Sequence, residues 1–251
     1  MIVIGAGRLG TALSIRAREA DVPCQLVTRE VGWDLLDGEP GTPVLVAARA
    51  GDLPGLLGLL PVHRRDDLVL VQDGMLRPWL VEHGLARVTR GVLTVAVDER
   101  GDRGVVGRRS ACWGVHAAAA ARWLGALGVP AEELVWSRFV AREVERLIWI
   151  STFGLLCERF DLTVAEVCRA HSEVLPPLVG ELSRVCRRSM GIDFPLVDLL
   201  ERLVGFALTV GSSRPDLADR EWTNDWFSHT ARARRVGIPL HDDLLAAVDQ
   251  A

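Results

Sequence analysis

Ile2-Val3-Ile4-Gly5-Ala6-Gly7-Arg8-Leu9-Gly10 is the stretch that decides the fold. Three β-branched residues make a short run suited to a buried strand, and residues 9–20 then carry helical spacing. Between them stands G-x-G-x-x-G, in which each glycine has its own task. Gly5 permits the tight turn, Gly7 lets a pyrophosphate approach the backbone, and Gly10 lets helix and strand pack closely. Arg8 and Leu9 open the helix, where unbonded N–H groups and the helix dipole receive an anion.

Working outward, residues 25–27, 44–47 and 68–71 are further apolar runs of strand length, each bounded by Gly, Pro or Asp. Runs apolar on both faces, alternating with helical patterns, predict a doubly wound parallel sheet. Residues 91–97 and 104–107 are expected to form an antiparallel end to that sheet, with a helix over 117–127. After residue 137 the strand signals stop. Helical patterns follow at 139–159, 163–169, 173–189, 195–210, 220–236 and 240–249, with Pro176, Pro195 and Pro239 where first turns tolerate proline. The fold class read from this is α/β: an N-terminal Rossmann-type domain over 1–137, followed by an all-helical domain for substrate and dimerisation over 138–251.

The second strand ends Val27-Thr28-Arg29. An acidic residue at this place accepts from the ribose 2′-hydroxyl of NAD, whereas an arginine suits the 2′-phosphate of NADP. Arg29 therefore points to NADP(H), with Glu30 open as the acid one register later. Arg49, after the third strand, is expected to border the cofactor.

All 29 basic residues are arginines; the chain has neither lysine nor tyrosine. A lysine can release a proton near neutrality, and an arginine effectively cannot. The net charge of −4 and pI near 5.9 argue against a general nucleic-acid binder. No apolar run approaches the roughly 20 residues of a membrane span, and no cationic leader precedes the first strand. A cytoplasmic protein is expected. Cys24, Cys112, Cys157, Cys168 and Cys186 are scattered as reduced thiols would be, and the six histidines show no metal-ligand spacing.

The N-terminal glycines, the strand ending in Thr-Arg, the turn Gln72-Asp73-Gly74-Met75 and a helical second half together resemble ketopantoate reductase. The resemblance spans nearly the whole chain, but this sequence departs from the family at the residues that carry its chemistry. Asp73 stands where the family has asparagine in Gln-Asn-Gly. On the long helix Ser151 stands where the resemblance implies the catalytic lysine, and Leu155 and Arg159 stand at the places of two asparagines. Glu221, sixteen residues before Gly237-Ile238, matches the family's substrate-side glutamate. Segments 71–80, 145–156 and 221–227 are closer still to a bacterial, algal and plant branch of ketopantoate-reductase-like proteins, a likeness that supplies no substrate.

On the residues themselves, Asp73 is the leading substrate-side candidate in the first half; alternatively it is a turn-former, since Asp-Gly favours turns. An aspartate there would repel a substrate carboxylate unless an arginine or a proton compensated. Ser151 could orient a substrate oxygen or merely leave space. On a single helix, Glu221, Asn224 and Asp225 would share one face beside Trp222 and Trp226. Carboxylates beside indoles can act as acids near neutrality, though acids at a helix start with tryptophans in the core read equally well. His171 and His229 are further substitutes for the lysine. The leading expectation is an NADP-dependent oxidoreductase acting on a small carbonyl or imine compound, as a homodimer, with Glu221, Asp225 and Ser151 as catalytic candidates and Asp73, Asn224 and Trp222 binding substrate. The rival is a non-catalytic NADP(H)-binding sensor or subunit; a third is a non-redox enzyme on the same fold.

Overall fold

A computed structural model describes residues 1–30 and 32–250. The chain folds as two compact units, Met1–Gln72 with Leu76–Val140, and Asp73–Met75 with Ala141–Ala251. In the first unit the strands are β1 (Ile2–Ile4), β2 (Gln25–Val27), β3 (Val44–Val46), β4 (Leu68–Leu70), β5 (Thr89–Val92), β6 (Val95–Ala96), β7 (Val105–Val106), β8 (Ser110–Trp113) and β9 (Ala131–Glu133). Its helices are α1 (Arg8–Glu19), α2 (Leu53–Leu59), α3 (Arg77–Glu82) and α4 (Ala117–Ala126).

Among the described residues the main sheet runs β2-β1-β3-β4-β5-β8-β9. Pairing is parallel from β2 through β5, antiparallel between β5 and β8, and parallel again between β8 and β9. Every residue of β1, β3 and β4 is buried, as a sheet covered on both faces requires. Val3, Leu45 and Val69 are register partners with no exposed surface. They join one core with Leu13 and Ala17 of α1 and with Ala120, Trp123 and Leu124 of α4. Each such Val or Leu contributes about 1.5–3 kcal/mol by leaving water. Because β2 and β3 flank β1, strand order reverses at β1. In open α/β sheets ligands lie beyond the strand carboxyl ends at such a switch, where the Gly5–Gly10 turn stands.

The antiparallel end differs from the sequence expectation. The run over 91–97 is split: β5 stays in the main sheet, while β6 pairs with β7 in a separate ribbon. Thr94 makes the exit. Its N–H donates to Ser110 Oγ, its hydroxyl to the Arg108 carbonyl, and its own carbonyl accepts from Gly107 N.

In the second unit, α5 (Trp136–Phe160), which begins in the first, is followed by α6 (Val164–Ala170), α7 (Leu175–Met190), α8 (Leu196–Thr209), α9 (Asn224–Arg234) and α10 (Pro239–Asp249). Helix α7 packs on α8, α9 and α10, and α6 packs on α8. A capping box of Thr163 and Glu166 starts α6. The buried Glu181 carboxylate of α7 accepts from the N–H groups of Leu240 and His241, so a side chain from another helix caps α10.

A single helix over 220–236 is not what forms. Arg220–Trp222 is a separate 3-10 turn, Thr223 leaves helical geometry (φ −120°, ψ −93°), and α9 starts at Asn224. The cause is a distant segment. The Trp222 carbonyl, which a continuous helix would offer to its own backbone, accepts from Met75 N at 2.7 Å. Glu221 therefore does not share a helix face with Asn224 and Asp225.

Among the described residues no helix is long and apolar enough to cross a membrane, and no cluster could hold a metal ion. The five cysteines are free. Burial pushes the Cys112 and Cys157 thiols up to about 12, so neither is a ready nucleophile.

Candidate functional site

In the first unit, the glycine turn shows which of its residues the protein itself demands. Gly5 has φ +104°, and a Cβ on it would meet Ala47 backbone at 3.1 Å. A Cβ on Gly10 would lie 1.8 Å from the Gly5 carbonyl oxygen, so helix and strand close only over glycine. Gly7 is different. Its φ of −74° suits any residue, and the nearest protein atom that a Cβ would meet is Ala47 O at 4.0 Å. Neither conformation nor packing calls for glycine there, so the backbone at Gly7 is open to a group from outside the fold. The first turn of α1, with Arg8 and Leu9, has no side-chain cap and no acidic residue, leaving its positive end to an anion. These residues fit a dinucleotide pyrophosphate.

Arg29 stands two residues past β2, with its side chain 86% exposed and Nη2 donating to Asp52 Oδ1 at 3.2 Å. An exposed pair of this kind is worth at most about 1 kcal/mol, so a phosphate could readily take its place. Glu30 N donates to Thr28 Oγ1, which bends the chain after the strand. Arg49 is exposed, just before the 3-10 turn Ala50–Asp52 that follows β3.

In the second unit the centre is Asp73. Arg146 of α5 grips its carboxylate with two donors, Nε at 2.8 Å and Nη2 at 2.7 Å. The guanidinium also lies over the rings of Trp149, at 4.8 Å, and Phe206, at 5.6 Å. A planar fork on a carboxylate with an aromatic face behind it is a geometry only arginine supplies. Gly74, with φ +106°, lets Trp222 close in: a Cβ on it would lie 2.6 Å from Trp222 Cβ. With the Met75–Trp222 hydrogen bond, this brings Asp73 and Trp222 onto one docking contact. Glu221, adjoining Trp222 in the 3-10 turn, is exposed.

Several of the other candidates are held by partners of their own. Arg220 holds Asp225 at 3.1 Å and also pairs with Asp249. The two carboxylates raise the Arg220 pKa, and Arg220 in turn holds the Asp249 carboxyl below its ordinary value. Asn224 is fully buried, with Oδ1 accepting from His241 Nε2 at 2.9 Å. Ser151 and Thr152 are fully buried on α5, and neither hydroxyl has a hydrogen-bond partner among the described residues. Leu155 is buried, and Arg159 lies over the Phe160 ring. His171 stacks on Phe160 at 3.8 Å, and His229 is exposed with Nδ1 on the Asp225 carbonyl. Glu145 is buried and paired with Arg202 at 2.7 Å.

Arg146 carries no signal of its own in the sequence. The one clue is that an aspartate at position 73 asks for a compensating cation, and among 29 arginines spacing cannot choose which. Gln72, whose side chain bonds back to the β3 segment, likewise reads as no more than a turn neighbour.

No family model matches the sequence, and no curated protein does. Solved structures do. A D-mandelate dehydrogenase in ternary complex with NADH and anilino(oxo)acetate superposes with a TM-score of 0.78 at 14% identity, over 99% of this chain and 97% of that one. A ketopantoate reductase from Ralstonia eutropha JMP134 gives 0.75 at 17% identity, over 100% and 98%. A dimeric ketopantoate reductase from Staphylococcus aureus gives 0.73 at 13%, over 99% and 97%. The fold is the ketopantoate reductase fold.

Proposed function

We propose that the protein is an oxidoreductase that uses NADP(H) to pass hydride to or from a small carbonyl or imine compound. The observation that carries this reading is Gly7, a glycine that the protein's own conformation and packing do not require, at the mouth of a helix on the sheet's switch point. Gly5, Gly7, Arg8, Leu9 and Gly10 would hold the pyrophosphate. Arg29 would hold the 2′-phosphate and Arg49 would border the nucleotide. The bound dinucleotide supplies the hydride chemistry; the chain's residues bind, orient and handle the proton.

Asp73 supplies the substrate side. Its pairing with Arg146 leaves a fixed acceptor whose charge is balanced, and leaves that guanidinium already occupied. A carboxylate substrate gains no spare cation from this pair, whereas a hydroxyl, amine or imine N–H can donate to Asp73. Of the carboxyl candidates for the proton, Glu221 is favoured because its turn docks on Gly74 and, among the described residues, no ion pair ties its side chain as Arg220 ties Asp225. The likeness to a dimeric reductase supports a homodimer, and the five free thiols are in keeping with a reducing cytoplasm.

Calorimetry should show NADPH binding more tightly than NADH, with Arg29→Ala removing about 1.5–3 kcal/mol of that affinity. A panel of small carbonyls and imines with NADPH then identifies turnover. Glu221→Gln should keep cofactor affinity and lose turnover by about 10²–10⁴; full activity would remove Glu221 from the mechanism. The second reading, a non-catalytic NADP(H) sensor or subunit, draws on Ser151, whose fully buried hydroxyl stands where the resemblance implies lysine. Tight cofactor binding with no turnover across the panel would favour it.

A further inference from the structure

Gln72 follows β4 at the carboxyl edge of the sheet and is 7% exposed. Its side-chain amide donates both hydrogens to the segment after β3, to Val46 O at 2.8 Å and Ala48 O at 3.0 Å. Ala47 in turn donates to Ile4 O at 2.7 Å, and this same Ala47–Ala48 backbone is what a Cβ on Gly5 would strike. The amide thus braces the wall on which the glycine turn rests. Its own carbonyl is anchored as well, accepting from Arg90 Nη2 at 3.2 Å.

Two carbonyls on one side fix which way the amide faces, because only its nitrogen can donate to them. Oε1 must point away from both. It is buried and, among the described residues, has no hydrogen-bond partner. A buried acceptor left unpaired is costly and calls for a donor from outside the fold.

The sheet order says which donor. Arg29 follows β2 on one side of β1, and Gln72 follows β4, two strands to the other side. Neighbouring strands lie about 4.8 Å apart, so the two positions are roughly 14 Å apart along the edge. A dinucleotide with its pyrophosphate at the β1 turn and its adenosine ribose at β2 lays its other half across β3 and β4. Resting on the dinucleotide reading above, we propose that Gln72 Oε1 accepts a hydrogen bond from the nicotinamide riboside half of the cofactor, from its carboxamide N–H or a ribose hydroxyl. Gln72 then joins two tasks, bracing the glycine turn with its nitrogen and reading the redox half with its oxygen.

The test is calorimetric binding of NADPH and of adenosine 2′-phosphate 5′-diphosphate, which lacks the whole nicotinamide riboside, to wild type and Gln72→Met. The expected result is that NADPH affinity falls about tenfold more than that of the truncated ligand, the worth of one net hydrogen bond. Equal losses would mean that Gln72 only braces the turn, and no loss for either would remove it altogether; both overturn the proposal. Should Gln72→Met not fold, a crystal structure of wild type with NADPH decides: a donor of the nicotinamide riboside within about 3.2 Å of Oε1 supports it, and water or a protein donor there overturns it. Failure of wild type to bind any dinucleotide would instead overturn the reading on which it rests.

Discussion

Two glycines three residues apart stand in opposite surroundings, and single methyl groups separate them. At Gly10 an added Cβ collides with backbone 1.8 Å away, so Gly10→Ala should lose several kcal/mol of stability by forcing β1 from α1. At Gly7 the space is open, so Gly7→Ala should melt within a degree or two of wild type and lose most dinucleotide affinity. An alanine at position 7 that binds NADPH normally would deprive the functional reading of its main support. Arg146 permits a second comparison. Because the ion pair with Asp73 is bidentate and partly buried, urea unfolding of Arg146→Met, Asp73→Asn and the double variant should give a coupling of about 1–2 kcal/mol. A coupling near zero would reduce the pair to a surface contact. The turn role of Gly5 and the packing role of Gly10 were open to sequence reasoning because their spacing is local. The Asp73–Arg146 pair joins residues 73 positions apart, and nothing in a single chain's spacing reports such a meeting.

At the scale of elements, α9 and α10 are locked by polar groups inside the helical unit. His241, fully buried, donates from Nε2 to Asn224, while Nδ1 lies 3.5 Å from Asp242 and the ring faces Phe227. Burial holds its pKa below the ordinary imidazole value, outweighing the opposing pull of Asp242, Glu181 and Asp225. The unfolded chain, with an unperturbed imidazole near 6.5, takes up this proton at higher pH than the folded protein does. Stability linked to His241 is therefore complete above that value and is lost as pH falls below it. Urea midpoints at pH 7.5 and 5 should drop more for wild type than for His241→Gln; equal drops would clear His241 of any part. These helices also mark how far periodicity can be read. Apolar spacing located α6 to α10 to within a few residues, because each buries one face. It missed the break at Thr223, because Met75 claims the Trp222 carbonyl from outside the segment. The same break disperses the polar cluster that a continuous 220–236 helix would have gathered.

For the molecule as a whole, the outstanding demand is the apolar surface of the helical unit. On α8, Val197 is 67% exposed and Leu208 58%, and Leu196 beside Val197 is 38% exposed. Leu200 and Val204, half-buried, fall between them at helical spacing, with only Glu201 interrupting the outward stripe. An apolar face of this length on a helix that already packs inward against α6 and α7 is the kind of surface that marks association. A second copy is the occupant under the homodimer proposed above, and a self-complementary stripe suits the two-fold contact of most homodimers. The protein should therefore scatter light as a dimer at micromolar concentration. Val197→Glu with Leu208→Glu should give a folded monomer, since both side chains already tolerate solvent and their replacement disturbs no core. Circular dichroism would establish that the variant is folded. A wild-type monomer under these conditions, or a dimer unmoved by the paired glutamates, would take α8 out of the interface.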